Sequence, residues 1–182
     1  MKNVPNALTI FRIILIPIFV YAFLGLGNIM LACFIYVLAG ATDLLDGYIA
    51  RKYNLVTKLG IVLDPLADKL LQLTATATIA ISGLSFMWIV FGILLIKEIL
   101  MILGGALLIK RKDIVMPAVW YGKVYSAFLF VVVLIIMIWK DALPATVQIV
   151  IVSLAIVIGI LAGIGYLIKF LEIFNRGKNE AI

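Results

Sequence analysis

Long apolar segments recur along the whole chain and limit what it can fold into. Six such segments, each of about 20 residues, are long enough to cross a bilayer as helices. Of the 182 residues, 66% are hydrophobic and only 13% are charged. Soluble globular domains do not have this balance. The sequence therefore predicts an all-α, polytopic membrane protein with a single transmembrane domain over residues 1–182.

The breaks between these segments are too short to fold by themselves. The predicted spans are Leu8–Leu26, Met30–Ala50, Gly60–Ile81, Phe86–Ile109, Tyr121–Trp139 and Thr146–Ile168. Arg12 lies inside the first span, so its side chain must either reach the lipid headgroups or belong to a separate element. Of the two, we favour a short N-terminal helix lying in the membrane interface ahead of the span.

Basic residues flank the predicted spans mainly on one side. The loops after the first and third spans contain no Lys or Arg, whereas both termini and the loops after the second and fourth spans are basic. The positive-inside rule then places both termini in the cytoplasm, at the inner membrane of the cell. The net charge of +6 suits an anionic inner leaflet. Because the basic residues flank spans rather than forming one soluble face, nucleic-acid binding is not indicated.

Four aspartates stand close together in this apolar chain. Asp43 and Asp46 are spaced i, i+3, and Asp64 and Asp68 are spaced i, i+4, so each pair lies on one face of its helix. If the two faces meet, four carboxylates share one pocket at the cytoplasmic ends of the second and third spans. Such carboxylates need cations, and oxygen ligands suit Mg²⁺, Mn²⁺ or Ca²⁺. Helix capping or a salt bridge at a helix end would explain one such aspartate, but not four at helical spacing beside only a few cations.

Residues near the aspartates suit the binding of a phosphate. Gly47 and Gly60 remove side-chain bulk where a ligand approaches the backbone, and Arg51 offers a planar donor to phosphate oxygens. Each of these alone has an ordinary explanation, as a helix-packing glycine or a flanking arginine. The chain contains no histidine, which excludes nucleophile systems that depend on it. Proton transfer must therefore use a carboxylate, a lysine, a tyrosine or water.

The same residues resemble a known motif. Asp43-x-x-Asp46-Gly-x-x-Ala-Arg51, eight residues, and Gly60-x-x-x-Asp64-x-x-x-Asp68 match the motif of the CDP-alcohol phosphotransferases at every fixed position. This resemblance implies a fold of six transmembrane helices with the motif on the second and third. It also implies that an alcohol attacks a CDP-linked lipid, CDP-diacylglycerol, and that CMP is released.

The resemblance further assigns roles to individual residues. It implies two Mg²⁺ or Mn²⁺ ions held by Asp43, Asp46 and Asp64, with Asp68 also at the metal site and acting as the general base. It implies a nucleotide site that comprises Asn6, Gly47, Arg51, Thr57 and Gly60. It leaves the oligomeric state open, with a homodimer as one option.

Two branches of the family fit the rest of the chain. The segments Asn3–Arg12 and Asp64–Lys69 resemble the phosphatidylglycerolphosphate synthase branch, whose acceptor is glycerol 3-phosphate. That dianionic acceptor needs additional cations, and Lys97 and Lys123 are the candidates. Lys97 stands where that branch usually has arginine, and the stretch from Gly104 to Lys123 also resembles the cardiolipin synthases, whose acceptor is phosphatidylglycerol.

Both lysines also have ordinary explanations. Lys97 could form an ion pair with Glu98, although adjacent residues on a helix do not face each other. Lys123 could simply flank its span.

A different class of function is a divalent-cation transporter with the aspartates on its ion path. Such a path needs polar residues that lead to both membrane faces, and the outer halves of the predicted spans have almost none. Release of CMP from CDP-diacylglycerol would distinguish the enzyme from the transporter, and equally from a lipid-binding scaffold without activity.

Overall fold

The computed structural model of the protein describes residues 4–52, 58–112 and 120–179. Within these ranges every regular element is helical, which confirms the predicted all-α class. The elements are α1 (Val4–Val20), a π-helical turn (Tyr21–Gly25), α2 (Ile29–Lys52), α3 (Lys58–Ile81), α4 (Met87–Lys112), α5 (Trp120–Trp139) and α6 (Ala145–Asn179).

Five of these segments are long and apolar enough to cross a membrane. They are Asn6–Gly25, Ile29–Asp46, Met87–Gly104, Trp120–Trp139 and Ala145–Ile173. At 24 residues α3 has sufficient length, but the charges of Asp64, Asp68 and Lys69 and several polar side chains reduce its hydropathy. Gln72, Thr76 and Thr78 are buried within the protein, which is where polar groups of a membrane helix are expected.

Large apolar side chains point outward along the helices. Met30, Trp120 and Val150 are among the most exposed side chains of this kind. A surface so rich in exposed apolar groups would favour aggregation in water, whereas lipid tails solvate it. The distribution of side chains therefore agrees with a polytopic membrane protein.

The N-terminal segment does not form a separate interfacial helix. Helix α1 begins at Val4 and continues without a break to Val20, with Pro5 in its first turn, where proline is tolerated. Arg12 lies inside this helix, and its side chain is fully buried. The interfacial helix expected from the sequence is therefore wrong. That helix was expected because the charge of Arg12 would otherwise need water or lipid headgroups. In the structure, side chains of the protein itself contact Arg12 instead.

One compact unit contains α1, α2 and α3 together with residues 133–142. Helix α1 packs against both α2 and α3. Phe19 of α1 is fully buried, and its ring centroid lies 5.7 Å from that of Tyr36 on α2. Buried alanines, including Ala39 and Ala67, let the helix backbones approach closely. This packing fixes the faces of α2 and α3 that carry the aspartates.

A second unit contains residues 86–132 and 143–182, and in it α4 packs against α6. The rings of Tyr121 and Tyr166 meet edge to face at 5.6 Å. Tyr125 is fully buried, and its ring lies directly over Gly159, where an added Cβ would be 2.8 Å from the hydroxyl oxygen. Glycine at position 159 therefore leaves room for the fully buried ring of Tyr125.

We predict that Gly159→Ala destabilises the protein. Alanine favours helix over glycine by about 1 kcal/mol, but the clash with Tyr125 should outweigh this gain, because overpacking costs about 1–3 kcal/mol. The measurement is the Tm of purified protein in detergent. The matched control is Gly163→Ala on the same helix, where nothing lies within 4 Å of an added Cβ. Its Tm should be unchanged or higher, and equal shifts in the two variants would contradict the proposed contact.

Candidate active site

Three of the four aspartates meet between α2 and α3. Asp43 and Asp46 lie one turn apart on α2, and Asp64 lies on the first half of α3. Each contributes a carboxylate oxygen to a group whose members all lie within 4.8 Å of one another. We call Asp43, Asp46 and Asp64 the carboxylate triad. The helical spacing predicted this convergence.

Arg12 lies in the middle of the carboxylate triad. Its Nη1 is 2.7 Å from Asp43 Oδ1 and 3.0 Å from Asp64 Oδ1, and its Nη2 is 2.5 Å from Asp46 Oδ2. Sequence analysis missed this role, because it assigned Arg12 to the membrane interface. A usable signal was present: an arginine inside an apolar span has the same need for a counter-charge as the aspartates have for cations.

The carboxylate triad has more negative charge than Arg12 can balance. With all three carboxylates ionised, the one guanidinium leaves two negative charges for other cations to balance. Asp46 is almost fully buried, whereas the side chains of Asp43 and Asp64 are each 37% exposed. The triad therefore opens on one side, where further cations can approach. Three convergent carboxylates, all hard oxygen ligands, fit a Mg²⁺ or Mn²⁺ ion.

Asp68 lies beside the triad rather than within it. It is one turn further along α3, where it accepts a hydrogen bond of 3.2 Å from Gln72 Nε2, and Lys69 Nζ is 3.6 Å from its Oδ2. Its charge is close enough to that of Asp43 for the two to repel each other. Gln72, a buried residue that sequence analysis did not single out, therefore orients the fourth carboxylate. The i, i+4 spacing of Asp68 and Gln72 was the available signal.

The expected nucleotide-binding residues come from helix ends that meet at one end of the first unit. Asn6 lies in the first turns of α1, Gly47 and Arg51 lie in the last turns of α2, and Gly60 lies in the first turn of α3. Because Arg12 of α1 contacts both α2 and α3 near these ends, all four positions lie on the same side of the triad. The fifth residue, Thr57, lies outside the described residues.

The two lysines expected to bind the acceptor differ in their surroundings. Lys97 is buried, and its Nζ is 2.6 Å from Glu98 Oε1 and 5.4 Å from the centre of the Tyr125 ring. The argument that adjacent residues cannot pair was wrong here, because long side chains in apolar surroundings bend towards each other to neutralise their charges. Lys123 is exposed near the start of α5. Both belong to the second unit, and their role at the triad stays a prediction.

Known proteins resemble this chain over most of its length. The sequence profile of the family described as CDP-alcohol phosphatidyltransferase matches residues 2–161. A protein of Aquifex aeolicus is 38% identical over 130 residues, which are 69% of this chain and 70% of that protein. It is named CDP-diacylglycerol–glycerol-3-phosphate 3-phosphatidyltransferase.

Proteins with the same name in other bacteria match over a shorter stretch. The Rickettsia felis protein is 54% identical over 72 residues, which are 38% of this chain and 40% of its own length. The Haemophilus influenzae protein is 48% identical over 79 residues, which are 42% of this chain and 43% of its own length. The chain thus spans less than half the length of these two relatives.

We predict that Asp46→Asn weakens the binding of Mn²⁺ to the protein by about tenfold or more, since even changes around metal ligands cost about 10–100-fold. The variant removes a negative charge that is almost fully buried and that belongs to one of the three expected metal ligands. The measurement is free Mn²⁺ by electron paramagnetic resonance during titration of the purified protein. Asp141→Asn, which changes an exposed carboxylate of the same unit, should bind Mn²⁺ like the wild type. Unchanged affinity in Asp46→Asn would remove Asp46 from the metal site.

Proposed function

The chain belongs to the CDP-alcohol phosphatidyltransferase family, and we propose that it transfers the phosphatidyl group of CDP-diacylglycerol to glycerol 3-phosphate with release of CMP. The products are phosphatidylglycerol phosphate and CMP, so the reaction belongs to phospholipid biosynthesis. The observation that carries the proposal is the carboxylate triad, which stands in a complete family motif at one end of a membrane-embedded helix unit. The site suits a lipid donor because the reacting phosphates of such a donor lie at the membrane surface.

The reaction makes one P–O bond and breaks another. The acceptor hydroxyl attacks the phosphorus next to diacylglycerol, and the bond from that phosphorus to CMP breaks. Two Mg²⁺ or Mn²⁺ ions held by Asp43, Asp46 and Asp64, with Asp68 beside them, would neutralise the diphosphate and the leaving CMP. No covalent intermediate with the protein is needed, which agrees with a chain that lacks histidine.

Asp68 is proposed as the general base that takes the proton of the acceptor hydroxyl. A general base must lie close to the reacting atoms and keep a free oxygen lone pair. Asp68 stands beside the triad and receives its hydrogen bond from Gln72 at 3.2 Å. An amide donor of this kind fixes the orientation of the carboxylate without taking its charge.

The nucleotide is proposed to bind where the ends of α1, α2 and α3 meet. Arg51 would donate to a phosphate oxygen of the CDP group, and Gly47 and Gly60 would leave room for it to approach the helices. Asn6 and Thr57 complete the proposed set by analogy with the family. By the positive-inside rule, this end of the unit would face the cytoplasm at the inner membrane.

Glycerol 3-phosphate is the proposed acceptor because relatives from three bacterial genera are named for it. Its phosphate carries nearly two negative charges, so cations other than the bound metal are needed. We propose Lys97 and Lys123 for this role. Lys123 is exposed and accessible. Lys97 would have to share its charge between Glu98 and the acceptor. Lys123 is therefore the stronger candidate for binding the acceptor phosphate.

The proposed reaction is tested with purified protein, CDP-diacylglycerol, Mg²⁺ or Mn²⁺, and a panel of acceptors, with lipid products identified by mass spectrometry. We expect phosphatidylglycerol phosphate and CMP from the wild type. Asp43→Asn, Asp64→Asn and Asp68→Asn should each lower turnover by about 100-fold or more, since general-base catalysis alone contributes about 10²–10⁴-fold.

Asp141→Asn serves as the control and should retain full turnover. Full activity in one of the three site variants would contradict the role assigned to that residue. If the wild type uses phosphatidylglycerol but not glycerol 3-phosphate, it is a cardiolipin synthase instead. If no acceptor yields CMP, the enzymatic proposal fails.

For the acceptor site, we predict that Lys123→Met raises the KM for glycerol 3-phosphate by roughly 10–100-fold, as expected for the loss of one charge-assisted contact. The KM for CDP-diacylglycerol should change little. Lys97→Met should act in the same direction. Lys140→Met, whose Nζ lies 3.4 Å from the Ser82 carbonyl oxygen in the turn after α3, is the control. Unchanged KM values in both Lys97→Met and Lys123→Met would contradict the proposed acceptor site.

A further inference from the structure

The guanidinium of Arg12 contacts one oxygen of each of the three carboxylates that would hold a bound metal. We propose that Arg12 is a built-in counter-cation of the carboxylate triad, which competes with divalent metal and so sets the metal affinity of the site. This inference rests on the proposed function, in which the triad holds metal. It adds a regulatory element that neither the motif nor the resemblance includes.

The contacts of Arg12 occupy one oxygen of every triad member. Its Nη1 contacts Asp43 Oδ1 and Asp64 Oδ1, and its Nη2 contacts Asp46 Oδ2, all at 2.5–3.0 Å. The remaining nitrogen, Nε, is 3.5 Å from the hydroxyl oxygen of Thr42. That hydroxyl itself donates to the Ala39 carbonyl oxygen at 2.6 Å. All three guanidinium nitrogens thus face polar groups of α2 or α3, and the planar group is held from several sides.

Competition follows from the geometry of these oxygens. A Mg²⁺ or Mn²⁺ ion takes oxygen ligands at about 2.0–2.2 Å, and the three oxygen-bearing groups lie within 4.8 Å of one another. The guanidinium nitrogens already lie 2.5–3.0 Å from one oxygen of each carboxylate, so an ion bound between these carboxylates would lie close to them. Two cations that close together also repel each other. Arg12 therefore opposes metal binding to all three carboxylates, because both cations draw on the same three negative charges.

Arg12 also connects α1 to the other two helices. It is the only charged residue of α1, and its partners lie 31, 34 and 52 residues further along the chain, on α2 and α3. If Arg12 were only a structural connection, its removal would destabilise the protein whether or not metal is present. If it competes with metal, its removal should also strengthen metal binding. Metal affinity therefore separates the two roles.

The experiment compares wild type, Arg12→Met and Lys69→Met after removal of metal with a chelator. The Mn²⁺ affinity is measured by electron paramagnetic resonance, and the Tm is measured with chelator and with saturating Mn²⁺. Arg12→Met should bind Mn²⁺ about tenfold more tightly or better, as expected if only about a tenth of wild-type molecules have the triad free of Arg12. Its Tm should fall in chelator and recover with Mn²⁺ by more than that of the wild type.

Lys69→Met removes a positive charge of the same region, which pairs with Asp68 at 3.6 Å, and leaves Arg12 in place. The Mn²⁺ affinity of Lys69→Met should stay within about twofold of the wild-type value, because this variant changes only the longer-range electrostatic interaction with the ion. If Lys69→Met tightens Mn²⁺ binding as much as Arg12→Met does, net charge rather than competition explains the effect. That result would overturn the inference.

The remaining outcomes distinguish a failure of this inference from a failure of the proposed function. Equal or weaker Mn²⁺ binding by Arg12→Met, with the wild type binding normally, overturns the inference and leaves the proposed function intact. A wild type that binds no Mn²⁺ contradicts the metal site of the proposed function itself. If Arg12→Met folds only with Mn²⁺, the rate of Mn²⁺ release into excess chelator replaces the affinity. Slower release than from wild type supports competition, and equal or faster release overturns it.

Discussion

The placement of charge inside an apolar helix unit governs how α1, α2 and α3 are arranged. Buried charges are tolerated only when they are paired, and Arg12 is paired with Asp43, Asp46 and Asp64 at once. These contacts define which faces of the three helices meet. One guanidinium cannot balance three ionised carboxylates, and this excess of negative charge is the basis of the proposed metal site.

The packing around the triad supports the chemistry proposed for it. Small side chains such as Ala39 and Ala67 are fully buried and allow close contact between helices. Further along α1 and α2, the fully buried rings of Phe19 and Tyr36 lie against each other. The partly exposed side chains of Asp43 and Asp64 leave the opposite side accessible. In the proposed function, a diphosphate headgroup would approach the carboxylates from this side.

Much of this site could be predicted from local spacing. The i, i+3 and i, i+4 intervals place Asp43 with Asp46 and Asp64 with Asp68, and facing helices bring three of the four together. The partners of Arg12 could not be found in this way, because these contacts join residues 31 or more positions apart and depend on how α1 packs against α2 and α3. The pairing of Lys97 with Glu98 was misjudged for a related reason. Helix geometry fixes the direction of each Cα–Cβ bond, whereas burial determines where the charged end of a long side chain lies.

The central claim is that Asp43, Asp46 and Asp64 form the divalent-metal site of a phosphatidyl transfer enzyme. The most direct measurement is anomalous X-ray scattering from crystals of the protein grown with Mn²⁺ and a CDP-linked lipid. The account predicts a manganese peak bounded by carboxylate oxygens of all three residues, with the diphosphate of the lipid beside it. A bound lipid with no manganese peak at these carboxylates, or a peak elsewhere in the protein, would contradict it.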